Sequence, residues 1–197
     1  MIKYQFNKTS LAELGKQLKM RERALPTIKS KESALRVEVK RAKDRARELV
    51  EELDAVMKRY DYMVELWGEF DSALVAVEDV ELRVQKIAGV QIPMLEGVKY
   101  TVQDYNRFMA PMWIGDGVQI LKDLARLGLE SEVYVKRQEI LERARKKTTQ
   151  KVNLYEKVQI PGYEGAILKI KRFLEDEENI SKSSQKIIKQ RLEAAEV

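Results

Sequence analysis

The chain contains no cysteine and no histidine. The first absence excludes disulfides and thiolate nucleophiles, and together they exclude the usual zinc ligand sets. The second removes the side chain that most often moves protons near neutral pH. It also excludes a di-iron bundle of the usual kind, which needs Glu-x-x-His pairs. Glycine is scarce and only 7% of residues are aromatic, which suits long helices better than a large sheet. No apolar run approaches the roughly 18 residues of a membrane span. The start, Met1-Ile2-Lys3-Tyr4-Gln5-Phe6-Asn7, lacks the apolar core of a signal peptide. These absences predict a soluble, cytoplasmic chain that meets a membrane only through partners. No convergent set of Asp, Glu, Lys and Tyr stands out, and no Gly-rich phosphate loop is present. Asp, Glu, Lys and Tyr are the side chains left for catalysis.

What is present is a heptad. One core series is Leu11, Leu18, Leu25, Glu32, Val39, Ala46, Leu53 and Tyr60. The other is Leu14, Arg21, Ile28, Leu35, Ala42, Leu49, Val56 and Met63. Thirteen of these sixteen positions are apolar. Strict seven-residue spacing with charges between is a coiled-coil seam, and a period nearer 3.5 than 3.6 gives a left-handed supercoil. At about 1.5 Å per residue, a helix from Leu11 to Met63 is roughly 80 Å long. Arg21 and Glu32 break the apolar pattern. They either fix the register as polar core residues or pass their stems along the seam to water.

The net charge of +5 is modest but unevenly spread. Lys16 to Arg47 holds 12 basic and 4 acidic residues; Glu48 to Glu81 holds 2 and 11. Lys136 to Lys157 returns to 8 basic and 3 acidic. A basic band serves nucleic acid, an acidic protein partner or simply solvation. No aromatic residues interleave the first basic band, which counts against single-stranded nucleic acid.

The first helix has capping-box spacing at Ser10-Leu11-Ala12-Glu13, with Thr9 as the alternative cap. Pro26 deletes a backbone donor, so a kink or break near Leu25 is expected. The heptad phase continues across it and favours a kink. Gly68 first weakens the helix, while the apolar pattern carries on to about Leu82. Val84–Ile92 and Val98–Val102 alternate like half-buried strands, with Pro93–Gly97 as the turn between them. A protruding hairpin over about 84–102 follows, since a short hairpin alone wants a partner surface. Asn106–Gly117 reads as a loop. Trp113, Met109 and Met112 in it, with the adjacent Tyr105, either form a partner patch or, as the favoured reading, pack the insert against the helices. Asp116 caps a short helix over about 117–127 that Gly128 ends. Ser131 opens the second long helix, interrupted at Pro161, Gly162 and Gly165.

The predicted fold class is mainly α. A long antiparallel two-helix coiled coil is formed by the N-terminal helix (1–82) and the C-terminal helix (131–197). A small middle insert (83–130) carries the hairpin and the short helix, and the whole is one elongated domain. With equal rise in both helices, facing residues have numbers summing to roughly 200. Glu48, Glu51, Glu52 and Asp54 then lie opposite Arg143–Lys151, and Glu175-Asp176-Glu177-Glu178 near Arg21, Arg23 and Lys29. Both matches have the right sign, and they select orientation rather than supply stability.

Three stretches carry a resemblance. Asn7-Lys8-Thr9-Ser10-Leu11, with Leu14, Leu18, Ala24, Lys29 and Lys31, is the first. Gly89-Val90-Gln91-Ile92-Pro93 is the second. The third is Thr148-Thr149-Gln150-Lys151-Val152-Asn153-Leu154-Tyr155-Glu156-Lys157-Val158-Gln159-Ile160-Pro161. Together they resemble the family of D subunits of V-type ATPases and ATP synthases, the central-stalk rotor shaft. The chain departs from the family pattern at Glu32-Ser33, at Ala24–Pro26 and at Gln150-Lys151.

The resemblance implies an antiparallel coiled coil whose tip sits inside a hexameric sleeve of alternating A and B subunits. It implies a small F subunit on the side of the shaft. It also implies, at the lower end, a funnel-shaped d (or C) subunit on the membrane ring. Torque then passes between ATP chemistry, in hydrolysis or synthesis, and ion transport of protons or sodium. The resemblance further implies that the chain is peripheral to the membrane, binds no nucleic acid, needs no cofactor or metal and does no chemistry. On the matched stretches, Lys29, Lys31, Val90, Ile92, Pro93, Lys151, Asn153, Glu156, Ile160 and Pro161 are the expected partner contacts. The alternative is a basic coiled-coil module that binds nucleic acid or an acidic protein.

Overall fold

The computed structural model describes residues 3–106 and 110–195, with side chains to 192. The elements are α1 (Lys8–Arg59), α2 (Val64–Trp67), strands β1 (Val75–Ile87) and β2 (Val90–Val102), α3 (Ile114–Asn153), a π-helical turn (Leu154–Gln159) and α4 (Ile160–Ala195). Short 3-10 turns at Asp61–Met63 and Ser72–Leu74 flank α2. The chain divides into two compact units, residues 1–30 with 148–197, and residues 31–147.

None of the sixteen heptad positions is exposed, including Arg21 and Glu32. The seam read from sequence is the buried stripe of α1. Its N-terminal cap is Asn7, whose Oδ1 accepts from Ser10 N–H at 2.7 Å; neither Ser10 nor Thr9 is the cap. Pro26 lies inside α1 without ending it. The helix stops at Arg59 rather than Trp67 or Leu82. Leu74, Val77 and Val80 are spaced like a helical stripe, while Val75 with Val77 and Val80 with Leu82 and Val84 alternate like a strand, and the β-branched valines decide for strand.

In the first unit the two helical segments are antiparallel. Phe6 packs on Phe173 with ring centroids 4.8 Å apart. Arg21 meets Gln159, and Lys29 meets Glu156. Leu14, Ala166 and Ile170 form the buried core, with Leu11, Tyr163 and Leu174 against it. The facing residue of Lys29 is thus about 15 residues earlier than equal helix lengths predict. The C-terminal helix continues past the start of α1, and Ile180, Ile187, Ile188 and Leu192 on it are exposed. Glu175–Glu178 does not face Arg21, Arg23 and Lys29. Glu178 instead bonds Lys182 and lies in the field of Lys8.

In the second unit, Glu38 faces Arg137 and Arg45 faces Glu130, again antiparallel. Glu48–Asp54 therefore lies beside residues well before Arg143. The core is Leu35, Ala42, Ile92 and Leu141. The helix expected over 117–127 is present, but Gly128 does not end it: those residues are the first turns of α3. Gly at one helical position costs only about 1 kcal/mol, which neighbouring packing overrides. Between the end of α2 and the start of α3, the rings of Trp67, Phe70 and Trp113 meet edge-on or tilted, with centroids 5.5 to 5.9 Å apart. A methyl on Gly117 would come within 3.1 Å of Trp113 Cζ3 and 3.3 Å of Phe70 Cε2. The expected packing role of Trp113 is met here, whereas Met112 is 99% exposed and Met109 lies outside the described residues.

The hairpin is longer than the alternation indicated, and its turn lies elsewhere. Ala88 and Gly89, at φ 48° and 77°, form the two-residue loop, the double positive φ of a type I′ turn. Pro93–Gly97 belongs to β2. Pro93 opposite Val84 is tolerated because a two-stranded sheet has only edge strands. Register shifts leave Glu78 and Glu96 unopposed as bulges.

Candidate partner-binding surfaces

The expected contact residues separate by burial. Ile92 is 1% exposed and sits in the second unit's core, so it has no surface to offer a partner. Val90 packs against that core, with Ile87 and Ala88. The hairpin tip therefore does not protrude. It lies on α1 and α3 of its own unit, with Lys31 Nζ 3.4 Å from where a Gly89 Cβ would stand. Pro93 is half-buried, and Lys31 is exposed.

Lys29, Lys151, Asn153, Glu156, Ile160 and Pro161 fall together in the first unit. Asn153 ends α3, Glu156 lies within the π turn, and Ile160-Pro161 opens α4. The turn has a local cause. Proline lacks an N–H, and its ring collides with the carbonyl four residues back in a regular helix. Here Ile160 N–H donates to Tyr155 O, five residues back, which widens the ladder ahead of Pro161.

Two cross-helix pairs clamp the turn. Lys29 Nζ donates to Glu156 Oε1 at 2.7 Å, with both side chains close to half exposed. Arg21 Nε donates to Gln159 Oε1 at 2.7 Å, and Arg21 Nη1 donates to Gln17 O and Oε1. The guanidinium also lies 4.6 Å from the centre of the Tyr163 ring. Arg21 thus stays in the seam as a polar layer and does not run past it. The sequence does not single out Gln159, because its role depends on a residue 138 positions away.

In the second unit the basic band is largely paired within α1. Arg36 bonds Glu32, Arg41 bonds Glu38, Arg45 bonds Glu48, and Arg47 lies by Asp44. On α3 the Arg145 guanidinium holds the Glu142 carboxyl below the usual range through paired hydrogen bonds. At the hairpin, burial pushes the Tyr100 phenol up, and its hydroxyl donates to Lys122 O at 2.8 Å. Strand β1 keeps Val77, Leu82 and Val84 exposed. Among the described residues no group of three or more acidic side chains is placed to hold a metal ion. No helix among them is long and apolar enough to cross a membrane.

Comparison with known proteins places the chain by its sequence. The family model for the D subunit of ATP synthase matches residues 10–190. The V-type ATP synthase D subunit of Borreliella burgdorferi is 29% identical over 195 residues, covering 98% of this chain and 96% of that one. The protein of the same name from Chlamydia abortus is 30% identical over 202 residues, covering 98% and 94%.

Proposed function

Since the chain belongs to the family of ATP synthase D subunits, we propose that it is the central-stalk subunit of a V-type rotary ATPase or ATP synthase. The observation that carries this is the match across 10–190, which spans both helical arms and the hairpin. In this reading the chain is an accessory subunit without chemistry of its own. Its antiparallel helices transmit torque between a catalytic hexamer of A and B subunits and an ion-translocating ring in the membrane. A small F subunit sits on its flank, and a d (or C) subunit supports its lower end. It reaches the membrane only through these partners.

The physical features support a torque-bearing role. A seam of fourteen non-exposed heptad positions runs along α1 over many turns, with Tyr60 and Met63 just past its end. The Arg21–Gln159 layer resists sliding of one helix against the other, because a slip leaves half-buried polar groups without partners. The exposed apolar residues of α4, from Ile180 to Leu192, suit a tip that works inside a protein sleeve. Lys29, Lys31, Val90, Pro93, Lys151, Asn153, Ile160 and Pro161 remain the proposed contacts. Glu156 joins them through its pair with Lys29, and Ile92 acts only by holding the hairpin in place.

Co-expression with the F subunit of the same organism, followed by size-exclusion chromatography, tests the reading. A stable one-to-one complex is expected. Separate elution at micromolar concentration contradicts it.

A further inference from the structure

The π turn accommodates Pro161, and it carries exposed apolar side chains. Leu154 is 45% exposed and Val158 61%, although both lie in a helix whose buried apolar residues face α1. They border an open groove of about 570 Å³, lined also by Tyr4, Pro161, Gly165 and Lys169. A methyl added at Gly165 would meet nothing within 4 Å, so the groove floor is bare backbone. The stripe 154–158–161–165–169 keeps helical spacing, the form of groove into which the ridge of another helix packs.

Its rim is basic. Lys169 lines the groove, and Lys151 and Arg172 continue the same stripe three residues beyond each end. Neither Lys151, Lys169 nor Arg172 has a carboxylate partner among the described residues. From 148 to 172 the acidic residues are Glu156 and Glu164. Glu156 is bound to Lys29, and Glu164 lies about 100° round the helix from Gly165. Backbone groups here are bonded within the helix, so an extended strand finds no edge to join.

We propose that this groove docks one helix of a partner protein, with an apolar ridge facing Leu154, Val158 and Gly165 and glutamates or aspartates flanking it against Lys151, Lys169 and Arg172. Apolar burial supplies the affinity, and the basic rim sets the orientation and rejects a basic helix. The site stands on the groove itself, whichever protein carries the helix.

The test places the photoreactive residue p-benzoylphenylalanine at Val158, and separately at Glu164, in the full chain within its native cells. Cross-linked peptides are then identified by mass spectrometry. The groove position should capture one defined segment of another protein, with helical apolar spacing and more acidic than basic residues; the Glu164 position, on another face, should not capture that segment. Reversing the rim with Lys169→Glu and Arg172→Glu should lower the yield about tenfold, since like charges then face each other. Filling the floor with Gly165→Trp should do the same while the thermal melt of the chain stays put. Either variant suffices if the other fails to fold. Capture of a second copy of this chain, capture of a basic or strand segment, no capture, or a yield indifferent to the rim and floor variants would overturn the proposal.

Discussion

Arg21 Nε donates to Gln159 Oε1 across 2.7 Å, joining a seam position of α1 to the last residue of the π turn. The pair sits where an apolar residue would give more stability. The expected signature is asymmetry. Arg21→Ala leaves Gln159 and Gln17 without their donor and should cost about 1–3 kcal/mol. Arg21→Met combined with Gln159→Leu should be neutral or stabilising, by analogy with buried polar layers replaced by packed apolar side chains. Urea unfolding of the variants measures both. Equal losses in the two would show that the layer serves stability and not register.

Lys29 and Glu156 are equally close, at 2.7 Å, but close to half exposed. A double-mutant cycle with Lys29→Ala and Glu156→Ala should give a coupling of about 0.2–1 kcal/mol that shrinks with added salt. A coupling several-fold larger would mean the turn is clamped from outside.

The hairpin turn offers a pair of opposite outcomes. Gly89→Ala puts a side chain at φ 77°, and the left-handed region costs a non-glycine residue about 1–2 kcal/mol. Ala88→Gly relieves the same strain at φ 48° and should be neutral or stabilising, because the lost methyl is only partly packed. Thermal melts of both variants, run side by side, check the ranking.

With no histidine, no side chain of ordinary pKa titrates between about pH 6 and 8, so stability should be flat there. In acid it should fall. Arg145 depresses Glu142 in the folded chain, so the stabilisation is present above the unfolded carboxylate range and lost as pH drops through the lower folded value. Glu142→Gln should flatten that acid limb. An acid limb unchanged in the variant would remove Glu142 from the account.

The fold was legible where one period ran long and the matched motifs were specific. The α1 seam, the antiparallel pairing within each unit and the hairpin were all present in the pattern. Boundaries failed where two periods overlapped, as at Leu74 to Val80, or where a breaker was outvoted by packing, as at Gly128. The hairpin turn was misplaced because Pro93 and Gly97 are louder punctuation than Ala88-Gly89, yet they lie within an edge strand. The surface placement of the proposed contact residues is less legible. Leu154 and Val158 lie in and beside apolar heptad-like spacing, yet both are exposed. The burial of Ile92 depends on where the hairpin tip lands, a contact between distant segments that local spacing does not encode.

The role proposed for the chain predicts motion. It has no native cysteine, so Val84→Cys, at a position 65% exposed on β1, gives a unique attachment point. A bead attached there, with the A and B hexamer assembled on the chain and fixed to glass, should turn in one direction when ATP is added and stop when it is withdrawn. A bead that stays bound but only fluctuates about a fixed angle in ATP would contradict a torque-transmitting shaft.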